Sequence, residues 1–303
     1  MNRIFYFFIF LAISWCFSLT GCQPKTQTST DDSFTFVFMT DIHLQPESRA
    51  VEGFRQTMDS VNKLRPDFVI TGGDLIMDAL GQSYGRADSL YQLYQQESKH
   101  LQMPVYNTMG NHEIYGIYKE SNADPNHPEY GEQMFEKRLG KSYYAFEHKG
   151  WKFMVLNSIE DTHKSGYIGL LDAPQLEWIK AELAKTDTSQ PLVIATHIPF
   201  VSAYMQKFEG STLASDSSLV VANSKQVLDL FAHHNLKLVL QGHLHILESI
   251  YIDGITFITG GAVSARWWAG PYLGTEEGFL KLTVKGDNFD WKYMDYGWEA
   301  RNK

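Results

Sequence analysis

Cysteine is almost absent from this 303-residue chain: there are two, Cys16 and Cys22, both near the start. Disulfide staples, a cysteine nucleophile and thiolate metal sites are therefore excluded from everything that follows residue 22. Any metal held there must be bound by His, Asp, Glu or Asn. Basic charge is also scarce, with 26 Lys and Arg against 35 Asp and Glu and a net charge of -9. Affinity for a phosphate backbone comes from a basic face, so no stable nucleic-acid partner is expected. Internal repeats and low-complexity stretches are missing, which excludes solenoid and fibrous architectures. No apolar run reaches the about 20 residues that a membrane-spanning helix needs.

The longest such run, residues 4–19, follows Arg3 and precedes small residues, the pattern of a cleaved secretion signal. Its end, Leu19-Thr20-Gly21-Cys22, resembles the lipobox of bacterial lipoproteins. That resemblance implies a lipoprotein signal peptide over residues 1–21 and a lipid on Cys22. The protein is then expected in the bacterial cell envelope, outside the cytoplasm, held to a membrane by its N-terminal lipid. Residues 22–33, with no large aliphatic or aromatic side chain, read as a polar tether.

The chain as a whole is 44% hydrophobic, enough for a full core, and residues 34–303 read as one domain. Strand-like runs at residues 34–39 and 68–71 flank Val51, Phe54, Met58 and Val61 at helical spacing, a βαβ pattern. A second helix is expected around Leu90, Leu93 and Tyr94, before a strand at residues 105–109. Further strands are expected at residues 143–146, 153–157, 192–196, 238–240, 255–259 and 279–284. A helix capped by Asp172, with Pro174 in its first turn, buries Leu176, Ile179 and Leu183; another covers residues 227–231. The pattern fits an α/β/β/α sandwich and an ordinary doubly wound layer alike.

Metal-binding side chains follow these strands with a regularity that core histidines would not show. Asp41 and His43 follow the first strand, Asp74 the second, Asn111 and His112 the third; His197 and the pair His243 and His245 follow two later ones. In open α/β sheets ligands bind outside the carboxyl ends of the strands, so these side chains are expected to converge. Glycines at 72, 73, 110 and 242 are expected to let the backbone turn sharply before them. Seven oxygen or nitrogen donors exceed the four of a tetrahedral site and suit a pair of ions about 3.5–4 Å apart.

The stretches Asp41-Ile42-His43, Gly73-Asp74, Gly110-Asn111-His112-Glu113, His197 and Gly242-His243-Leu244-His245, in that order, resemble the calcineurin-like metallophosphoesterases. The resemblance implies a four-layer α/β/β/α sandwich with a dinuclear metal site at strand ends. It implies one ion on Asp41, His43 and His245, a second on Asn111, His197 and His243, and Asp74 bridging. Two divalent or mixed-valence ions (Mn, Fe or Zn) would make hydroxide from a bridging water, and catalytic His112 would face a small phosphorylated substrate. A phosphodiester or pyrophosphate is the expected target, with a phosphomonoesterase or a non-catalytic lipid-anchored binding protein as alternatives. Two departures narrow this. Where phosphoprotein phosphatases place an aspartate to orient the histidine, this chain has Met77, then Asp78. It also has no tyrosine at the purple acid phosphatase position.

Around these motifs several segments carry two readings. Arg266 and Trp267, with Trp268, form either a substrate-gripping rim or an apolar cap over the sheet. Residues 201–222 form a lid or an ordered insertion, and residues 120–128 a loop beside the site. Glu113 reads more readily as a helix opener than as a support for the site. The histidines at 100, 127, 148, 163, 233 and 234 have no motif context.

Overall fold

The computed structural model describes residues 33–300; the proposed signal peptide, Cys22 and most of the tether lie outside the described residues. In chain order the elements are β1 (Phe34–Met39), α1 (Ala50–Leu64), β2 (Phe68–Thr71), α2 (Tyr84–Glu97), β3 (Val105–Tyr106), α3 (Gln133–Leu139), β4 (Tyr144–His148), β5 (Trp151–Val155), β6 (Ile159–Asp161) and β7 (Tyr167–Gly169). There follow α4 (Ala173–Leu183), β8 (Leu192–Ala195), α5 (Tyr204–Phe208), α6 (Ser224–Leu230), β9 (Leu236–Gln241), β10 (Glu248–Ile252), β11 (Ile255–Thr259), β12 (Gly278–Lys285) and β13 (Asn288–Asp295).

Two sheets result, ordered β13-β12-β1-β2-β3 and β10-β11-β9-β8-β5-β4, with a small β6-β7 ribbon beside them. Side chains alternate across a strand, and here both faces are apolar. Phe34, Phe36, Phe38, Phe68 and Ile70 of the first sheet meet Phe153, Val155, Val193, Leu238 and Leu240 of the second in one buried cluster. The intervening Val37, Met39, Val69, Met154, Ile194 and Val239 join the core that also takes up the helices. This two-sided burial is what makes a four-layer α/β/β/α sandwich, and it decides against a single doubly wound sheet. Phe36 stacks on Phe68 with centroids 5.1 Å apart, and Phe153 meets both edge-on. Each such ring contributes roughly 1.5–3 kcal/mol by leaving water.

Local signals set the helices. In α1, Phe54, Met58 and Val61 are fully buried, and the helix ends at Arg65 in the left-handed region. In α4, the Asp172 carboxylate accepts the Gln175 N–H at 2.9 Å and caps the helix, with Pro174 in the first turn. The expected strand at residues 105–109 stops at Tyr106. There the Asn107 side chain takes the Tyr94 hydroxyl, and the Thr108 N–H turns to the Thr71 hydroxyl.

β1 runs parallel to β2, β2 to β3, β5 to β8, β8 to β9, and β9 to β11. Parallel pairing points the carboxyl ends of each set the same way, which is how residues distant in sequence come to share one edge.

Candidate active site

At that edge the backbone is strained where the donors sit. Asp41, His43, Asp74, His243 and His245 all have φ between 47° and 71°, the left-handed region that costs a side-chain-bearing residue about 1–3 kcal/mol. The loops brace one another: the Asp41 N–H donates to the Gly73 carbonyl at 3.0 Å, and the His43 N–H to the Asp74 carbonyl at 2.9 Å. Of the four motif glycines, only Gly73 has a positive φ. The other three need no left-handed backbone, and what requires glycine there is space. A Cβ at Gly110 would lie 2.3 Å from the Asp74 N and Oδ1, and one at Gly242 only 2.0 Å from the Thr40 Oγ1.

The seven expected donors converge. Asp41, His43 and His245 offer ligand atoms within 4.8 Å of one another, as do Asp74, His197 and His243. The Asn111 Oδ1 lies 3.1 Å from the His197 Nε2. Asp74 stands between the groups, with Oδ2 3.6 Å from the His43 Nε2 and Oδ1 3.2 Å from the His197 Nε2.

Backbone carbonyls fix three imidazoles. The His197 Nδ1 donates to the Gly72 carbonyl at 2.7 Å, the His245 Nδ1 to Ala265 at 2.5 Å, and the His243 Nε2 to Ser218 at 2.9 Å. A carbonyl only accepts, so those nitrogens carry the hydrogen and each second nitrogen turns a lone pair inward. His245 Nε2 then sits 3.0 Å from His43 Nε2, and His197 Nε2 sits 3.2 Å from His243 Nδ1. Lone pairs and carboxylate oxygens at this spacing repel unless cations lie among them. The donor set therefore fits a pair of metal ions.

An inward nitrogen that does not face a cation can hold a proton instead, and the carboxylates favour one on His197 and His245. Burial opposes charge throughout, yet the His245 charge and hydrogen bond hold the Asp41 carboxyl down at about 2. Asp74 lies well below the usual carboxylate range, against burial, through the His197 and His112 charges. Burial, with the neighbouring His197 charge, keeps His243 neutral down to about 4. Despite burial, Asp74 raises His197 to about 9.

His112 stands at the edge of the cluster, its Nε2 3.8 Å from the Asp74 Oδ2 and its ring edge-on to His43. Its Nδ1 donates to the Met77 carbonyl, with the Asp78 Oδ1 4.0 Å away. A main-chain oxygen thus orients this ring where an aspartate was missing from the sequence pattern. Glu113 is a second missed residue. It is fully buried, and its carboxylate accepts four backbone N–H groups: Asp74 at 2.9 Å, Gly110 at 2.7 Å, Leu75 at 2.7 Å and Ile76 at 3.1 Å. Rather than merely opening a helix, it staples the Asp74 loop to the Asn111 turn. Its identity as a glutamate directly after the Gly-Asn-His run was the available signal.

The two tryptophans divide their tasks. Trp268 is the buried cap, donating to the His43 carbonyl at 3.1 Å, while Trp267 stays 39% exposed with its centroid 4.8 Å from that of His245. Arg266 is exposed, its guanidinium donating to the Ala269 carbonyl of its own loop. Residues 201–222 reach the site, through the Ser218 carbonyl on His243. The remaining histidines are peripheral; His148, for example, packs edge-on to Phe34 and Phe68.

Two stacked sheets with helices outside and a dinuclear His, Asp and Asn donor set at the strand ends define a metallophosphoesterase, an enzyme that hydrolyses phosphoric esters. The profile of the calcineurin-like phosphoesterases matches residues 34–247, and the chain belongs to that family. A 3′,5′-cyclic-nucleotide phosphodiesterase of Nostoc sp. is 30% identical over 217 residues, covering 68% of this chain and 70% of the relative. The serine/threonine-protein phosphatase CPPED1 of Homo sapiens is 22% identical over 223 residues, covering 72% and 66%. A dimetal phosphatase from Danio rerio shares the fold, with a TM-score of 0.62 at 17% identity over 87% of this chain and 96% of that one.

Proposed function

We propose that the chain is a lipid-anchored phosphoesterase working outside the cytoplasm on a small phosphodiester or pyrophosphate. Mn, Fe or Zn would be held by Asp41, His43 and His245 on one side and by Asn111, His197 and His243 on the other. The observation that carries this reading is Asp74, whose two oxygens address the two donor groups separately, Oδ2 toward His43 and Oδ1 toward His197. When bound, two such ions polarise the phosphoryl oxygens and lower the pKa of water held between them.

The chain's own residues do the rest. The Thr40 hydroxyl and the His243 N–H donate to the Asp41 Oδ2 at 2.6 Å and 3.0 Å, which holds that carboxylate in one orientation. The His112 N–H donates to the Asp74 Oδ1 at 3.0 Å and does the same there. With Nδ1–H committed to the Met77 carbonyl, His112 in its imidazolium form presents Nε2–H to the phosphoryl group, gives that proton to the leaving oxygen and is left as the neutral Nδ1–H imidazole. The similarity to a cyclic-nucleotide phosphodiesterase supports the diester reading.

The test is hydrolysis of bis(p-nitrophenyl) phosphate and p-nitrophenyl phosphate by metal-loaded wild type and His112→Ala. Faster turnover of the diester, falling at least about 100-fold in the variant, is expected; full activity in the variant removes His112 from the mechanism. Membrane attachment rests on Leu19-Thr20-Gly21-Cys22. Fractionation of cells expressing Cys22→Ala should move the chain from the membrane to the soluble fraction.

A further inference from the structure

Trp267 is an exposed indole placed directly against two of the proposed metal ligands. Its centroid lies 4.8 Å from that of His245 and 6.0 Å from that of His43. Its backbone is in the left-handed region at φ 47°, and its neighbours hold it there: the Trp268 N–H donates to the Ser264 carbonyl at 2.7 Å, and the Arg266 N–H to the Gly270 carbonyl at 3.0 Å. Trp268, the next residue, is buried. Ala265 and Trp268 share that left-handed backbone, and the tight turn they make sends Trp268 into the core and leaves Trp267 beside the reaction centre.

More aromatic surface adjoins it. Tyr272 lies 6.1 Å from Trp267 and 6.0 Å from His245, centroid to centroid. Tyr204, from α5 in the insertion, faces Tyr272. That insertion is itself fixed, by the Ala203 N–H on the Glu248 Oε1 at 2.8 Å and by the Ser218 carbonyl on His243. Two loops from different parts of the chain therefore meet in a preformed aromatic wall on the His245 side of the cluster. Stacking on such a wall recognises flat rings without reading their edges.

We infer that Trp267, with Tyr272, is a specificity platform for a planar aromatic ring carried by the substrate, a nucleobase or an aryl alcohol. The inference rests on the phosphoesterase reading and names the class of its substrate. A ring on Trp267 would sit next to a phosphoryl group held at the donor cluster, so the substrate is one in which ring and phosphorus are joined by a short linker.

Calorimetric titration of the metal-loaded protein tests this without turnover. The first pair of ligands is adenosine 5′-methylphosphonate and the matching ribose phosphonate, whose phosphorus–carbon bonds resist hydrolysis. The second pair is benzylphosphonate and methylphosphonate. The member carrying a ring is expected to bind about tenfold more tightly, equivalent to about 1.4 kcal/mol, in at least one pair. Which pair shows it tells a nucleobase from an aryl group. Trp267→Ala should bring that ratio to near one, and Trp267→Phe should restore most of it. Ratios near one in both wild-type pairs, or a preference that survives Trp267→Ala, overturn the inference. Hydrolysis of bis(p-nitrophenyl) phosphate by the same samples keeps the two readings apart: turnover without ring preference removes only the platform, and preference without turnover removes only the enzyme.

Discussion

Replacing Gly110 by alanine adds one methyl group and should nonetheless disable the site. The backbone at Gly110 is extended, at φ -106° and ψ -178°, so alanine meets no conformational penalty. The new Cβ would stand 2.3 Å from both the Asp74 backbone nitrogen and its Oδ1, where ordinary contact begins at 3.4 Å. Asp74, or the Asn111 turn, must retreat by about 1 Å. Neither is free to move: Glu113 binds the N–H groups of Gly110, Asp74, Leu75 and Ile76 together. Overpacking of this kind costs about 1–3 kcal/mol of stability. A 1 Å displacement of a positioning group costs about 100-fold in rate, some 2.7 kcal/mol of transition-state stabilisation. The assay is kcat/KM on bis(p-nitrophenyl) phosphate, with metal content and melting temperature on the same sample. Gly85→Ala is the control, because nothing lies within 4 Å of its Cβ and it sits within α2, where alanine stabilises by about 0.5–1 kcal/mol. If Gly110→Ala keeps full metal content and full activity, the reasoning about close approach is wrong.

Glu113→Gln must turn an NH2 toward two of the four N–H donors whichever way the amide lies; a loss of about 2–3 kcal/mol, several degrees of melting temperature, is expected in thermal unfolding. Burial, with the charges of Glu136, Asp172 and Glu160, pushes the Glu132 carboxyl from 4.5 up to about 7. A raised folded-state value means the stability contribution is fully present below pH 4.5 and lost as pH rises through 7, up to about 3 kcal/mol. Urea titrations at pH 4.5 and 8 should show that loss in wild type and a much flatter dependence in Glu132→Gln. Chelation should lower the melting temperature and abolish hydrolysis together, with both restored by added Mn or Zn; an unchanged melting temperature would mean that the donor cluster does not bind metal in the folded chain.

The parts of this structure legible in the sequence are those whose signal is local. β1, β2 and β11 have the boundaries that their apolar runs predict, and Asp172 with Pro174 marks the start of α4. The donor residues were legible because each follows a strand that the pattern itself reveals. Apart from the Glu113 carboxylate, what was missed at the site lies in main-chain atoms, which carry no side-chain signature: the Met77 carbonyl on His112, and the Ser218 carbonyl on His243 from a loop 25 residues away. Gly73 has the left-handed backbone expected of it, whereas Gly72, Gly110 and Gly242 are needed for a missing Cβ, a distinction that sequence does not carry. β10 and β13 are edge strands with mostly half-exposed faces, so they lack apolar runs. Their two-residue connections, Asp253-Gly254 and Gly286-Asp287, were the available hairpin signals.

Metal stoichiometry with and without the shared carboxylate decides whether two ions share Asp74. Elemental analysis should find two ions per chain in active wild type. In Asp74→Asn it should find one or none, with hydrolysis of bis(p-nitrophenyl) phosphate lost. A wild type that turns over with a single ion, or an Asp74→Asn variant that keeps two ions and full activity, would contradict the dinuclear site described for this chain.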